Sequence, residues 1–294
     1  MHEYDPVRWR RGMLNVHSAI TLPIVGRALL ATAWSIVVHV LQRRGQVTSI
    51  GASVHMLLGV SFGLLLVFRT NTSYDRYWEG RRLWGVLIEE SRHLARLAAL
   101  YVPIARRREF LACLAVSVHA TRANLRGSRS MGPHLESLPA PVRASVARAF
   151  HVPTAALTHA GRIVRDAVAS GHAPATVLPV IEEPIRSVIL SAGGCNRIRT
   201  TPIPFAYRVH LRRGLFLYAF SLPFALAGDF DWLAIPSTFA LTFVLFGIEE
   251  IGSSIEDPFG HDANDLPLED FQTIIESTIF DPELAAVEGY RPDT

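Results

Sequence analysis

Four apolar stretches without Asp, Glu, Lys or Arg place the strongest constraint on the fold of this 294-residue chain. They are Ala28–Gln42, Gly45–Phe68, Gly214–Gly228 and Trp232–Ile248. A helix crosses the hydrocarbon core of a membrane with about 20 residues, and about 17 are enough. The second and fourth stretches meet this length, and the two stretches of 15 residues meet it when arginines at their ends reach the headgroups. The pattern predicts an all-α membrane protein with four transmembrane helices, with buried helices of a soluble protein as the alternative for the short stretches.

The basic residues predict how the chain is oriented in the membrane. All 29 are arginines, and they cluster before the first stretch, after the second and before the third. The positive-inside rule therefore places the N-terminus, the long middle segment and the C-terminus in the cytoplasm, although Arg43 and Arg44 oppose this orientation. Because the arginines flank apolar stretches and are otherwise dispersed, we expect membrane lipids as partners and no nucleic acid.

Charge and hydropathy divide the chain into five segments. They are a cytosolic N-terminal segment (1–27), transmembrane helices 1 and 2 (28–68), a helical cytosolic region (69–212), transmembrane helices 3 and 4 (213–249) and an acidic cytosolic C-terminal segment (250–294). In the cytosolic region a helical period recurs from Glu109 to Leu125. Gly193 and Gly194 predict a break between two helices further along. No strand pattern of useful length is present.

The C-terminal part of the chain is strongly acidic. From residue 249 onward, 13 acidic side chains stand against a single arginine. Glu256, Asp257, Asp262 and Asp265 form a possible weak cation site, because carboxylates in a segment rich in turns suit a hard cation. Asp262 and Asn264 match the first two ligand positions of a calcium-binding EF-hand loop, but Leu266 occupies the third and the glycine of that loop is missing. The alternative is a solvated loop whose carboxylates pair with arginines of other segments.

No motif of a known catalytic centre is present. The chain lacks His-Glu-x-x-His, Gly-x-Ser-x-Gly and a phosphate-binding loop. His39 and His55 lie inside apolar stretches, where a histidine is either a functional group or a neutral side chain at a helix contact, and both interpretations stay open. An intramembrane enzyme that combines them with Glu249 and Glu250 lacks any recognisable ligand spacing, so we expect no enzyme. The only two cysteines are 82 positions apart, which excludes a disulfide scaffold and a cysteine zinc site.

The second apolar stretch carries the most specific pattern of the chain. Val60, Leu64 and Phe68 recur every four residues and form one apolar ridge on a helix. Gly59 and Gly63 on the same helix have the spacing that lets two helices approach closely. Several copies of this helix around an axis would form three apolar collars, which can gate a pore by dewetting. The alternative is that these side chains face lipid or pack against other helices.

Three further stretches have a distinctive sequence. They are Phe68–Arg81, Asn196–Tyr207, and Glu256–Gly260 followed by Asn264–Pro267. Together they resemble the signature of the bestrophin family, in its bacterial branch. Their order and spacing fit that family, and the resemblance covers about residues 10–280.

This resemblance implies a pentameric ion channel with four membrane helices per subunit and a large helical cytosolic part. The second helix would line a narrow neck at Val60, Leu64 and Phe68, and Ile203 would form a lower constriction near the cytosolic exit. We expect a homopentamer in the inner (plasma) membrane of a bacterium that passes monovalent ions passively. The choice between chloride and sodium stays open.

The resemblance also bears on cofactors. Animal members of the family bind calcium with the acidic segment, but here His261, Ala263 and Asn264 interrupt its carboxylates. We therefore expect no obligatory cofactor and at most weak binding of calcium or another divalent cation. The alternative function is a membrane-anchored scaffold or sensor whose helical cytosolic part binds a partner.

Overall fold

A computed structural model describes residues 21–262 and 264–281, and within these ranges the chain is helical without strands. The α-helices of the described residues are α1 Thr21–Arg43, α2 Ala52–Tyr101, α3 Ile104–Leu125, α4 Ala140–Arg148, α5 Val152–Ala169, α6 Val177–Thr200, α7 Phe205–Phe230, α8 Ala234–Ser254 and α9 Leu268–Ile279. Short 3-10 helices cover Pro133–Ser137 and Asp231–Leu233. The prediction of an all-α protein is confirmed.

The chain divides into two compact units. The membrane unit consists of the described part of Met1–Tyr77 together with Pro202–Asp257, and the helical unit consists of Trp78–Thr201 together with the described residues from Pro258 onward. The sequence places a boundary at residue 69, where charged residues begin. The division falls later because α2 continues without a break beyond the apolar stretch that begins it.

Three helical stretches of the described residues are long and apolar enough to cross a membrane, namely Thr21–Arg43, Ala52–Tyr101 and Phe205–Ser254. The last contains both α7 and α8, separated by a 3-10 turn. In the membrane unit, α1 packs along α8, and α7 packs against both. The apolar core that α1, α2, α7 and α8 share contains Ile24, Leu66, Leu211, Leu215, Ala219 and Phe246.

The helical unit is organised around α3. Every residue of α3 from Phe110 to Thr121 is buried. A helix that is buried on all sides occupies the centre of its unit, and α5, α6 and α9 pack around it. The helical period that the sequence predicts from Glu109 to Leu125 is confirmed as part of this helix.

The predicted break at Gly193 and Gly194 is wrong. Both glycines lie inside α6, which is continuous from Val177 to Thr200. A Cβ atom on Gly194 would lie 2.8 Å from Cδ1 of Leu83 on α2. The glycine therefore permits a close approach of two helices within the helical unit.

Both cysteines of the helical unit should be chemically inert. Cys113 and Cys195 are buried and free, and burial raises the pKa of each thiol to about 12. Since the thiolate is the reactive form, neither should react with a water-soluble maleimide at pH 7.5 in the folded protein. Mass spectrometry after brief labelling should find both cysteines unmodified, and labelling after denaturation should modify both. Modification of either cysteine before denaturation would contradict this burial.

Candidate ion-conducting surface

One face of α2 in the membrane unit is apolar and uncovered. Val60, Leu64 and Phe68 expose 68%, 55% and 56% of their surface. A pathway that lies between several copies of a chain requires lining residues that are exposed in the single protomer. The three side chains that the sequence predicts for a neck satisfy this requirement, and α2 aligns them on one face.

The glycines of this helix differ from each other in their surroundings. A Cβ atom on Gly59 would lie 2.6 Å from the Tyr218 hydroxyl group on α7, whereas no atom of the described part of the chain lies within 4 Å of one on Gly63. Gly59 therefore permits α2 to pack closely on a helix of the same protomer. Gly63 leaves the surface open beside Leu64, which is free to contact another chain.

Behind the apolar face, a buried carboxylate joins the four described helices of the membrane unit. Glu249 on α8 is only 1% exposed. Its Oε1 atom accepts hydrogen bonds from Arg69 Nη1 on α2 at 3.0 Å and from Arg212 Nη2 on α7 at 2.8 Å. Its Oε2 atom accepts one from Arg27 Nη1 on α1 at 3.4 Å. We call these four residues the Glu249 cluster.

A second carboxylate extends this cluster. Glu256 is buried, and its oxygen atoms lie 3.7 Å from Arg69 Nη2 and 3.5 Å from Arg208 Nη1. Arg76 Nε donates a hydrogen bond to the Glu256 backbone carbonyl at 3.0 Å. The segment that follows α8 is therefore attached to α2 and α7 through charge-assisted hydrogen bonds and ion pairs.

The Glu249 cluster restricts which way the three predicted neck residues face. Arg69 follows Phe68 directly, and successive helical residues are about 100° apart around the axis. Arg69 is 2% exposed and Phe68 is 56% exposed, so the ion pair secures the side of α2 that adjoins the apolar face. Removing one partner of a buried ion pair costs about 3–5 kcal/mol because the other charge is left uncompensated.

The sequence motifs do not reveal this cluster, although the sequence carries a signal for it. Three apolar stretches have an arginine close to one end, at positions 27, 69 and 212, and the fourth is followed directly by Glu249. In an antiparallel arrangement of four helices these ends meet on one side. A pairing of opposite charges at that side was therefore available as a prediction.

Ile203 differs from the three predicted neck residues in that its side chain is buried. It is 7% exposed and is buried within the membrane unit. A residue that lines a shared pathway needs an exposed side chain, so this burial does not favour Ile203 as a lower constriction. That role stays a prediction.

The acidic segment uses its carboxylates in separate ways. Glu256 pairs with arginines, and Asp265 Oδ2 accepts a hydrogen bond from the Asp262 backbone N–H at 2.7 Å. Within residues 21–262 and 264–281, no three His, Cys, Asp or Glu side chains are close enough to hold a metal ion. Glu256 therefore fits the alternative interpretation of the sequence, in which carboxylates of this segment pair with arginines of other segments. Weak cation binding by the rest of the segment stays a prediction, and Ala263 lies outside the described residues.

The two intramembrane histidines make different contacts. His55 Nε2 lies 2.9 Å from Ser221 Oγ, and its ring packs on that of Tyr218 at 4.2 Å. Since Ser221 Oγ donates to the Tyr218 carbonyl, His55 is the donor in this pair. His55 is thus a residue of a helix contact. His39 is buried near Asp231 at the opposite end of the unit from Glu249.

An all-α chain with membrane-length helices and an exposed apolar face on one of them belongs to the class of helical membrane proteins. The family model described as Bacterial/Fungal Bestrophin protein matches residues 1–281. The chain therefore belongs to the bestrophin family, as its sequence motifs predict. It is a membrane channel protein and not an enzyme.

Named relatives and solved structures agree with this assignment. Voltage-dependent anion channel-forming protein sll1024 of Synechocystis is 31% identical over 285 residues, which cover 94% of this chain and 92% of the relative. Voltage-dependent anion channel-forming protein YneE of Escherichia coli is 28% identical and covers 91% and 89%. A crystal structure of a bacterial Bestrophin homolog from Klebsiella pneumoniae has a TM-score of 0.83 and 26% identity, covering 90% of this chain and 99% of that chain.

The Glu249 cluster should be essential for the stability of the membrane unit. Replacing Glu249 by Gln removes the negative charge shared by three arginines, and we expect a loss of about 3–5 kcal/mol, seen as a lower melting temperature or poor recovery in detergent. Glu250→Gln is the matched control, because Glu250 is 23% exposed and pairs with Arg27 alone within residues 21–262 and 264–281. Equal losses in the two variants would contradict a special role for Glu249.

Proposed function

We propose that five copies of this chain surround a central pore and that monovalent ions pass through it passively. The observation that carries this proposal is the exposure of Val60, Leu64 and Phe68 on a helix whose adjoining side is held by a buried ion pair. In a ring, each of the three positions contributes one apolar collar. The solved bestrophin homologue supports the proposal through its similar fold.

An apolar neck controls passage through hydration. Collars of Val, Leu and Phe offer an ion neither a charge nor a hydrogen bond. An ion that passes through them loses part of its hydration shell without replacement, which raises the energy barrier for passage. The barrier depends on the diameter of the collar and on whether water fills it. Such a neck gates the pore but does not distinguish an anion from a cation by charge.

We propose that the pore favours anions. Glu249 and Glu256 are buried and paired with arginines, so neither presents a free negative charge near the Phe68 end of the neck. Arg208 and Arg212 remain partly exposed there. Positive charge at the entrance of a pore raises the local concentration of anions. The relatives named as anion channel-forming proteins support the same choice.

We further propose that all four apolar helices cross the inner membrane of a bacterium, with both termini in the cytoplasm. The excess of arginines at the end of the unit that contains Arg27, Arg69 and Arg212 supports this orientation. From Arg69 back to Ala52, α2 rises by about 26 Å at 1.5 Å per residue. That length is close to the hydrocarbon thickness of about 30 Å.

The reversal potential tests the function directly. Purified protein in a planar bilayer under a sodium chloride gradient should give currents that reverse near the chloride equilibrium potential. Reversal near the sodium potential would overturn the proposed anion preference while keeping the channel. Absence of current at both polarities, together with a monomer or dimer in light scattering, would contradict the pentameric channel and favour a membrane-anchored scaffold.

The neck can be tested by widening it. Replacing Leu64 and Phe68 together with Ala should raise the single-channel conductance, because wider collars admit more water and lower the dehydration barrier. Replacing Leu29 and Leu30 of α1 is a matched control, since these leucines are comparably exposed and lie on another helix. An unchanged unit current in the first variant, or an equal increase in the control, would contradict the neck assignment.

A further inference from the structure

A polar pocket lies at the end of the membrane unit opposite the Glu249 cluster. Its volume is about 290 Å³. It is lined by His39, Gln42, Arg43, Val47, Ser49, Ala227, Gly228 and Asp231. The lining comes from the end of α1, the loop before α2, and the end of α7 with the turn that follows. This pocket is formed within one protomer and takes no part in the proposed neck.

Two nitrogen atoms in the wall of this pocket have no hydrogen-bond partner among the residues that the structure describes. They are Nε2 of His39, a side chain that is only 3% exposed, and Nε2 of Gln42. Asp231 Oδ1 lies 3.6 Å from His39 Nε2, which is too far for a hydrogen bond. His39 and Gln42 are three residues apart and lie on one face of α1. A buried donor without a partner is costly, so the wall is suited to a ligand that accepts hydrogen bonds.

The rim of the pocket carries one charge of each sign. Arg43 Nη2 donates to both carboxylate oxygens of Asp231, at 3.0 and 2.7 Å. Asp231 has a positive φ of 46°, which is uncommon for a residue other than glycine. Its carboxylate has about four acceptor positions, of which Arg43 uses two. The Asp231 carboxylate can therefore also accept hydrogen bonds from a cationic group of a ligand, beside the donors of His39 and Gln42.

The position of the pocket limits which ligands reach it. The pocket lies at the ends of two membrane-length helices, and the exposed side chains of Ile50, Trp232 and Leu233 are close to it in sequence. Tryptophan and arginine at such helix ends are typical of the level of the lipid headgroups. The acceptor most abundant at that level is the phosphate group of a phospholipid.

We propose that this pocket binds a phospholipid headgroup that contains a phosphate and an ammonium group. His39 Nε2 and Gln42 Nε2 donate to the phosphate oxygens, with His39 carrying its proton on Nε2, and Arg43 faces the same anion. Asp231 accepts from the ammonium group. Phosphatidylethanolamine has this chemistry, whereas phosphatidylglycerol offers the phosphate without the cation. The same donors could hold free phosphate, and the experiment separates these two sources.

The test is lipid retention by native mass spectrometry. The protein is reconstituted in nanodiscs of equimolar phosphatidylethanolamine and phosphatidylglycerol and then released into detergent. We expect phosphatidylethanolamine to be retained at least fivefold over phosphatidylglycerol. Arg43→Gln should reduce this retention at least fivefold. Arg44→Gln is the matched control, because Arg44 is the adjacent arginine and does not line the pocket.

A second variant keeps the proposal testable if Arg43→Gln fails to fold. Gln42→Leu removes one unpartnered donor with little change in size. In lipid-free detergent this variant should melt at or above the temperature of the unmodified protein, and added phosphatidylethanolamine should raise only the melting temperature of the unmodified protein. Equal retention of both lipids, or retention that neither variant reduces, would overturn the proposal. Stabilisation by inorganic phosphate to the same extent as by the lipid would contradict a lipid headgroup as the occupant.

Discussion

The membrane unit depends on one buried negative charge. Glu249 is enclosed by guanidinium groups from α1, α2 and α7, while its own helix supplies the fourth element of the unit. Apolar packing within a membrane is weakly directional, because lipid tails are as apolar as the side chains of the helices. A hydrogen-bonded ion pair is directional, and it specifies both the depth and the rotation of each helix. The cluster therefore supplies geometry that the apolar core alone would leave loosely defined.

The ion pair between Arg69 and Glu249 gives the two sides of α2 different structural roles. One side is attached to α7 and α8 through Arg69 and through the close approach at Gly59. The other side presents Val60, Leu64 and Phe68 outside the protomer. Because a helix is nearly rigid, a constraint on Arg69 is also a constraint on Phe68, its neighbour in sequence. An exposed apolar face with a fixed orientation is what a neck between several copies requires.

The parts of this architecture that follow from local pattern could be predicted from the sequence. The uncharged stretches predicted the membrane helices, and the four-residue spacing predicted one face for the neck residues. The break at Gly193 and Gly194 was predicted wrongly, because glycine permits a close helix contact as well as a helix end, and here Leu83 occupies the space beside Gly194. Burial of Ile203 and the pairing of Glu256 depend on tertiary neighbours, which the motif around each residue does not encode.

The energy of the Glu249 cluster also limits how the proposed neck would open. Shifting a two-state equilibrium from 1:99 to 99:1 requires about 5.5 kcal/mol. Rotating α2 far enough to turn Phe68 away from the proposed pore would separate Arg69 from Glu249. This separation costs about 3–5 kcal/mol in each protomer, and a stimulus would have to supply that cost in addition to the energy of the shift itself. Rotamer changes of an exposed side chain occur in picoseconds to nanoseconds and leave the helix in place. We therefore expect opening to proceed through reorientation of the Phe68 and Leu64 side chains while α2 keeps its rotation, and an open structure in which Arg69 has left Glu249 would contradict this.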